Sequence, residues 1–376
     1  MARIDPRALT RELLAFNTIN PPGMERACAQ RLGAILEEAG YAVAYHEYAE
    51  GRTSLVARIG NDARKPPICF TGHIDTVPLG AAPWMHDAFA GETEGDRVYG
   101  RGSTDMKSGI AAFIAAAVEL APQLARSPGV MLVITAGEEI GCEGAKFLAD
   151  RKLLERAGAL VIAEPTGNYP YVGHKGLAWF EIETHGVTAH GSMPEVGDNA
   201  IVKMARVIGD LEGFRFPVES HAIMGKPTMN VGTIRGGLNT NSVPDEACIT
   251  LDTRTVPGVD HVHLCKSLEK LVAPRGATVR KIVDTPSLYT EPADEWVQRV
   301  FEACAPLLGE RPTPKTITFS TDGADLKRGF GGAIPAVVLG PGEPKLAHQT
   351  DEWCSMNRID QSVDLFRTLM RDWCSV

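Results

Sequence analysis

The chain is 376 residues long, enough for two domains or one elaborated one at roughly 150 residues each, and its 44% apolar and 23% charged residues exclude a disordered, fibrous or disulfide-stapled protein. Its 47 acidic against 38 basic residues give a net charge of −9, and no basic run offers a surface for phosphates, so nucleic acid is not an expected partner. The eight cysteines form no Cys-x-x-Cys pair, the N-terminus shows no apolar signal segment, and no stretch reaches the roughly eighteen apolar residues of a membrane span; a reduced cytoplasmic protein without a membrane partner is expected.

In chain order, the apolar spacing predicts helices over Pro6 to Phe16 and Met24 to Ala39, then strands over Thr53 to Ile59 and Ile68 to Gly72. Ser108 to Leu120 is Ala-rich and helical. Gly129 to Ala136 and Leu160 to Ala163 are continuous apolar runs of strand length, the pattern of central parallel strands buried on both faces. Ligands of such sheets gather at the carboxyl ends of the strands. After Gly173 the texture changes to alternation, in Trp179 to Thr184 and again in Cys248 to Thr253, with helical segments at Asn199 to Leu211 and Val259 to Val272. A β-α-β-β-α-β order fits an inserted α+β sandwich. A helix (Ala293 to Leu307), a strand (Ala333 to Leu339) and a helix (Gln361 to Trp373) then restore the α/β texture. The expected division is a main domain over residues 1–173 and 286–376, interrupted by an insert over 174–285.

Polar residues recur where apolar strands end. His73 and Asp75, in Gly72-His73-Ile74-Asp75-Thr76-Val77-Pro78, share a face, so His73 could ligate a metal while Asp75 orients its other ring nitrogen. Asp105 opens the Ala-rich helix after the glycine-rich Gly100-Arg101-Gly102, where it could equally be an N-terminal capping acid. Glu138 and Glu139 follow the strand ending at Ala136, and adjacent like charges there need a positive partner. Glu164 ends the next strand, and His348 lies in Ala347-His348-Gln349-Thr350-Asp351-Glu352 after Gly340-Pro341-Gly342. Each is singly also an ordinary turn or strand-end residue; seven such residues at the ends of elements are hard to ascribe to chance. Dinucleotide, Walker and nucleophile-elbow motifs are missing, as is His-Glu-x-x-His.

In these motifs, together with Ala163-Glu164-Pro165-Thr166 and Thr188-Ala189-His190-Gly191-Ser192, the chain resembles the M20 metallopeptidase family, in its acetylornithine deacetylase and succinyl-diaminopimelate desuccinylase branch. The resemblance implies an α/β fold: a zinc-peptidase-like catalytic domain with a central mixed, largely parallel sheet, plus an inserted α+β ferredoxin-like lid that forms a homodimer. It implies two divalent metal ions per subunit, Zn2+ or Co2+: His73 and Glu164 on one, Glu139 and His348 on the other, Asp105 between them. Glu138 would be the general base, Asp75 the partner of His73, and His190 a donor to the tetrahedral oxyanion across the dimer. Arg254 and Asn241 match positions that hold the substrate's carboxylate or carbonyl, an Arg fork suiting a carboxylate, and Lys175 is a further substrate-binding candidate.

The implied activity is hydrolysis of the amide of an N-acyl amino acid, with a dipeptidase or carboxypeptidase as the alternative and an inactive binding protein as a remote one. The substrate is a small molecule, an N-acyl amino acid or a dipeptide. One departure bears on its identity: Thr318-Phe319-Ser320-Thr321-Asp322 stands where the desuccinylases resemble Gly-Gly-Thr-Ser-Asp. Phe319 changes the shape and polarity of any pocket built there, so no single substrate is named.

Overall fold

A computed structural model describes residues 3–62 and 64–376. Among the described residues, the continuous apolar runs become the middle of a six-stranded sheet ordered Ala42–Ala49, Arg52–Ile59, Val130–Thr135, Ile68–His73, Ala159–Ile162 and Ala336–Val338. The first two pairings are antiparallel and the other three parallel, which gives the mixed, largely parallel sheet expected of the sequence. Every residue of the last four strands is buried. Continuous Val, Ile and Leu are stable there because both faces of the sheet are covered.

The helix Ser108–Leu124 packs on the middle strands of the sheet. Ile110, Phe113 and Ile114 are fully buried, each contributing about 1.5–3 kcal/mol on removal from water, and the helix packs against Met356–Cys374. Its first turn is pressed onto the strand that carries Glu164: a Cβ built on Gly109 would lie 2.2 Å from the carbonyl oxygen of Ala163. Gly109→Ala is therefore expected to lower stability by about 1–3 kcal/mol, the usual cost of overpacking; an unchanged urea midpoint would show that the contact relaxes freely.

The chain folds into two compact units, one of Met1–Gly173, Leu288–Ile317 and Thr321–Val376, the other of His174–Ser287 and Thr318–Ser320. In the second unit the order is strand Gly176–His185, helix Ala200–Glu212, strands Thr228–Gly236 and Glu246–Thr255, helix His261–Val272 and strand Ala277–Thr285. The strands form an antiparallel sheet in the spatial order second, third, first, fourth, which is the ferredoxin-like arrangement. The alternation around Trp179 acts as the sequence implies: Phe180 and Ile182 are buried with Ile249, Leu251, Met204 and Leu264, whereas Trp179 is exposed.

Candidate metal centre

The polar strand-end residues of the first unit meet at one end of its sheet. His73 is the last residue of its strand and is buried; Glu138 and Glu139 follow the neighbouring strand Val130–Thr135, and Glu164 follows Ala159–Ile162. Parallel pairing aligns these termini, with Gly72 opposite Ile134 and His73 opposite Thr135. Gly340-Pro341-Gly342 comes after the edge strand and closes against this end: a Cβ on Gly340 would meet the carbonyl oxygens of Ala163 and Glu164 at 2.3 and 2.5 Å. Only glycine permits that approach.

Two groups of three ligand types result, His73 with Asp105 and Glu164, and Asp105 with Glu139 and His348, each with its ligand atoms within 4.8 Å of one another. Asp105 belongs to both. His73 Nε2 lies 3.1 Å from Asp105 Oδ1 and 3.8 Å from Glu164 Oε1, and His348 Nε2 lies 3.2 Å from Glu139 Oε2 and 3.5 Å from Asp105 Oδ2. His73 Nδ1 faces the backbone carbonyl of Asp75 at 3.0 Å. A carbonyl only accepts, so Nδ1 carries a proton, and Nε2 faces two carboxylates. Against the effect of burial, the Asp105 hydrogen bond and the charge of Glu164 raise the ring's pKa well above its ordinary value, which favours a proton on Nε2 as well unless a metal ion takes its place. Something positive must sit between such acceptors.

Asp75 does more than the expected pairing with His73. Its carboxylate stands 3.6 Å from His73 Nδ1 and its hydrogen bonds go elsewhere: Oδ1 accepts from Glu138 N at 3.0 Å, and Oδ2 from Glu139 N at 3.1 Å and Asn20 Nδ2 at 2.9 Å. The ring is oriented by the Asp75 main chain, and the side chain holds the Glu138-Glu139 turn. Asn20 carries no local sign of this part in the sequence.

Burial pushes the carboxyls of Glu138 and Glu164 well above the usual range, with neighbouring carboxylates adding to the rise, and Glu139 moves up for the same first reason. Asp105 goes the other way, because hydrogen bonds from His348 and His73 outweigh its burial. His348 is pushed up to about 10, chiefly by its bonds to Asp105 and Glu139. Glu139 Oε1 is buried without a hydrogen-bond partner. A cluster of crowded carboxylates, an orphaned oxygen and imidazole nitrogens aimed inward is the donor set that divalent cations satisfy, so these residues fit a metal pair.

Glu138 also faces Cys142 and Asp322. The Cys142 thiol lies 3.6 Å from Glu138 Oε1 as donor, and burial, reinforced by Glu138, raises its pKa well above the ordinary value and keeps it protonated. Asp322 accepts from Thr135 Oγ1 and is pushed up to about 6 by burial.

His190, Asn241, Arg254 and Lys175 belong to the second unit. His190 is exposed and adjoins the Asn241 turn, with Gly191 N donating to Asn241 O at 2.7 Å. Its Nδ1 accepts the Ser192 main-chain N–H at 3.2 Å, which leaves the proton of the neutral ring on Nε2. Arg254 is paired through Nε and one terminal nitrogen with Asp252, at 2.8 and 3.1 Å, and Lys175 Nζ donates to Lys226 O at 2.6 Å. Phe319 is half-buried in the same unit. Among the described residues, no helix is long and apolar enough to cross a membrane.

Residues 69–372 match the sequence pattern of peptidase family M20/M25/M40. The chain is 29% identical over 359 residues to a probable succinyl-diaminopimelate desuccinylase of Staphylococcus aureus, covering 84% of this chain and 86% of that protein. It is 29% identical over 384 residues to the acetylornithine deacetylase of Proteus mirabilis, covering 97% and 96%. Among solved structures, an M20 family metallo-carboxypeptidase of Sulfolobus solfataricus superposes with a TM-score of 0.79 at 20% identity, over 99% of this chain and all of that one. A dinuclear metal binding peptidase of the M20 family from Bacillus subtilis superposes at 0.72 and 16% identity, over 97% and 96%.

Proposed function

Since the chain belongs to peptidase family M20/M25/M40, we propose that it is a metal-dependent amidohydrolase that removes the acyl group from an N-acyl amino acid. The observation that carries this is the pair of ligand groups joined through Asp105 beside the carboxylate of Glu138. Relatives named for a desuccinylase and a deacetylase support an acyl substrate over a peptide.

His73 and Glu164 would hold one ion and Glu139 and His348 the other, with Asp105 shared. Zn2+ suits this mixed nitrogen and oxygen set, and Co2+ would serve in its place. When bound, such a pair lowers the pKa of water and polarises an amide carbonyl. Glu138 takes the proton of the attacking water and returns it to the leaving amine. Cys142 and the Asp75 clamp hold that carboxylate in direction. In the proposed homodimer through the second unit, His190 supplies Nε2–H to the tetrahedral oxyanion; Arg254, with Asn241 and Lys175, takes the substrate's carboxylate and carbonyl. A cytoplasmic setting follows from the sequence reading alone.

The test is amine release from a panel of N-acetyl, N-formyl and N-succinyl amino acids and dipeptides, with protein stripped by chelator and reloaded with zinc or cobalt. Metal-dependent turnover confined to N-acyl amino acids is expected. Turnover mainly on dipeptides would move the assignment to a peptidase, and no turnover with two ions bound would contradict the hydrolase.

A further inference from the structure

The segment from His348 to Glu352 carries more than a histidine. Asp351 Oδ1 accepts from Met85 N and His86 N at 2.8 and 3.2 Å, fixing the preceding surface loop. Glu352 is fully buried, and its carboxylate takes four donors from one short stretch. Oε2 accepts from Arg101 at 2.5 Å and Gly102 N at 3.1 Å; Oε1 accepts from Thr104 N at 2.8 Å and Asp105 N at 3.0 Å. The Glu352 carbonyl also accepts from Gly100 N at 2.9 Å.

The backbone at Asp105 lies in an irregular turn that is closed by Lys107 N donating to Gly102 O at 2.9 Å. Its φ of −124° and ψ of 93° are extended, and Met106 likewise departs from helical values, although both precede the helix Ser108–Leu124. A side chain on such a stretch is aimed only as well as its peptide is held, and Glu352 holds the Asp105 N–H directly. Arg101, equally buried, cancels the charge of Glu352, so the tie adds no net charge to a site already crowded with carboxylates.

We infer that Glu352 is a positioning residue that fixes Asp105 and His348 relative to each other, and thereby sets the affinity of both metal positions at once. The inference rests on the dinuclear reading above. It differs from a ligand's role in its signature: loss of His348 weakens chiefly one ion, whereas loss of the Glu352 tie disturbs the shared Asp105 and weakens both together. Groups that orient ligands from behind typically change metal affinity by about 10- to 100-fold.

The experiment is a Co2+ titration of chelator-stripped protein followed by visible absorbance, for wild type, Glu352→Gln and His348→Ala. Glutamine has one oxygen for two pairs of donors, so its NH2 faces either Arg101 and Gly102 N or Thr104 N and Asp105 N, and the four-donor tie cannot persist. Two ions per wild-type chain, and a joint loss of about 10- to 100-fold for both in Glu352→Gln, are expected. A folded Glu352→Gln chain that binds both ions as wild type does would overturn the inference; a wild-type chain that fails to bind two ions would overturn the dinuclear reading instead. Should Glu352→Gln not fold, hydrogen exchange on metal-free wild type decides: the amides of Gly102, Thr104 and Asp105 should be protected without metal, and free exchange there would overturn the tie.

Discussion

Glu138→Ala will lower turnover by about 10²- to 10⁴-fold while leaving two divalent ions bound. The reason is a division of labour within two adjacent acids. Glu139 approaches His348 at 3.2 Å and completes a ligand group with Asp105, whereas Glu138 is in neither of the groups that share Asp105. It faces the Cys142 thiol and Asp322 and, through its main chain, the Asp75 carboxylate. Removing the side chain deletes a proton acceptor and leaves the cation donors untouched. Metal content measured alongside kcat separates the two roles. Glu138→Ala protein that keeps wild-type turnover would remove it from the proton-transfer step, and protein that loses an ion would make it a ligand.

Asp105→Ala should be more severe, because it takes one member from both ligand groups. Each position would then keep two protein ligands, His73 with Glu164 and Glu139 with His348, where catalytic zinc sites ordinarily have three. The expected result is that neither ion binds at stoichiometric metal and that amide hydrolysis falls to background. Equilibrium dialysis against zinc measures the first, and amine release the second. Two ions held at wild-type affinity by the Asp105→Ala chain would show that the groups do not depend on a shared carboxylate.

Much of this is legible in the residues. The runs Val130–Thr135 and Ala159–Ile162 are apolar throughout because both their faces are covered, and the alternation at Trp179 to Thr184 marks a sheet with one covered face. The strand Ala42–Ala49 escapes the same reading: it lies at the sheet's edge with Tyr45 exposed and no residue buried, so no apolar period betrays it. The short helices Glu143–Asp150 and Gly323–Gly329 escape it as well, being too brief for a periodic signal. In the site, the ligand types at strand ends are readable one by one. What holds them is not: the partners of Asp75 and Glu352 are largely main-chain N–H groups, which every residue but proline possesses and which therefore leave no mark in a sequence.

The tie between Arg101 and Glu352 joins positions 251 residues apart along the chain, and this orders events during synthesis. Contacts of such separation must wait for the later partner, and domains generally fold as units while the chain emerges. A ribosome that has just completed the inserted unit has already delivered His73, Asp105, Glu138, Glu139 and Glu164, but not His348 or Glu352. A nascent chain at that point would carry most of the acid-rich ligand set without its closing residues, and the set would be complete only once the segment bearing His348 and Glu352 has returned to the first-made half.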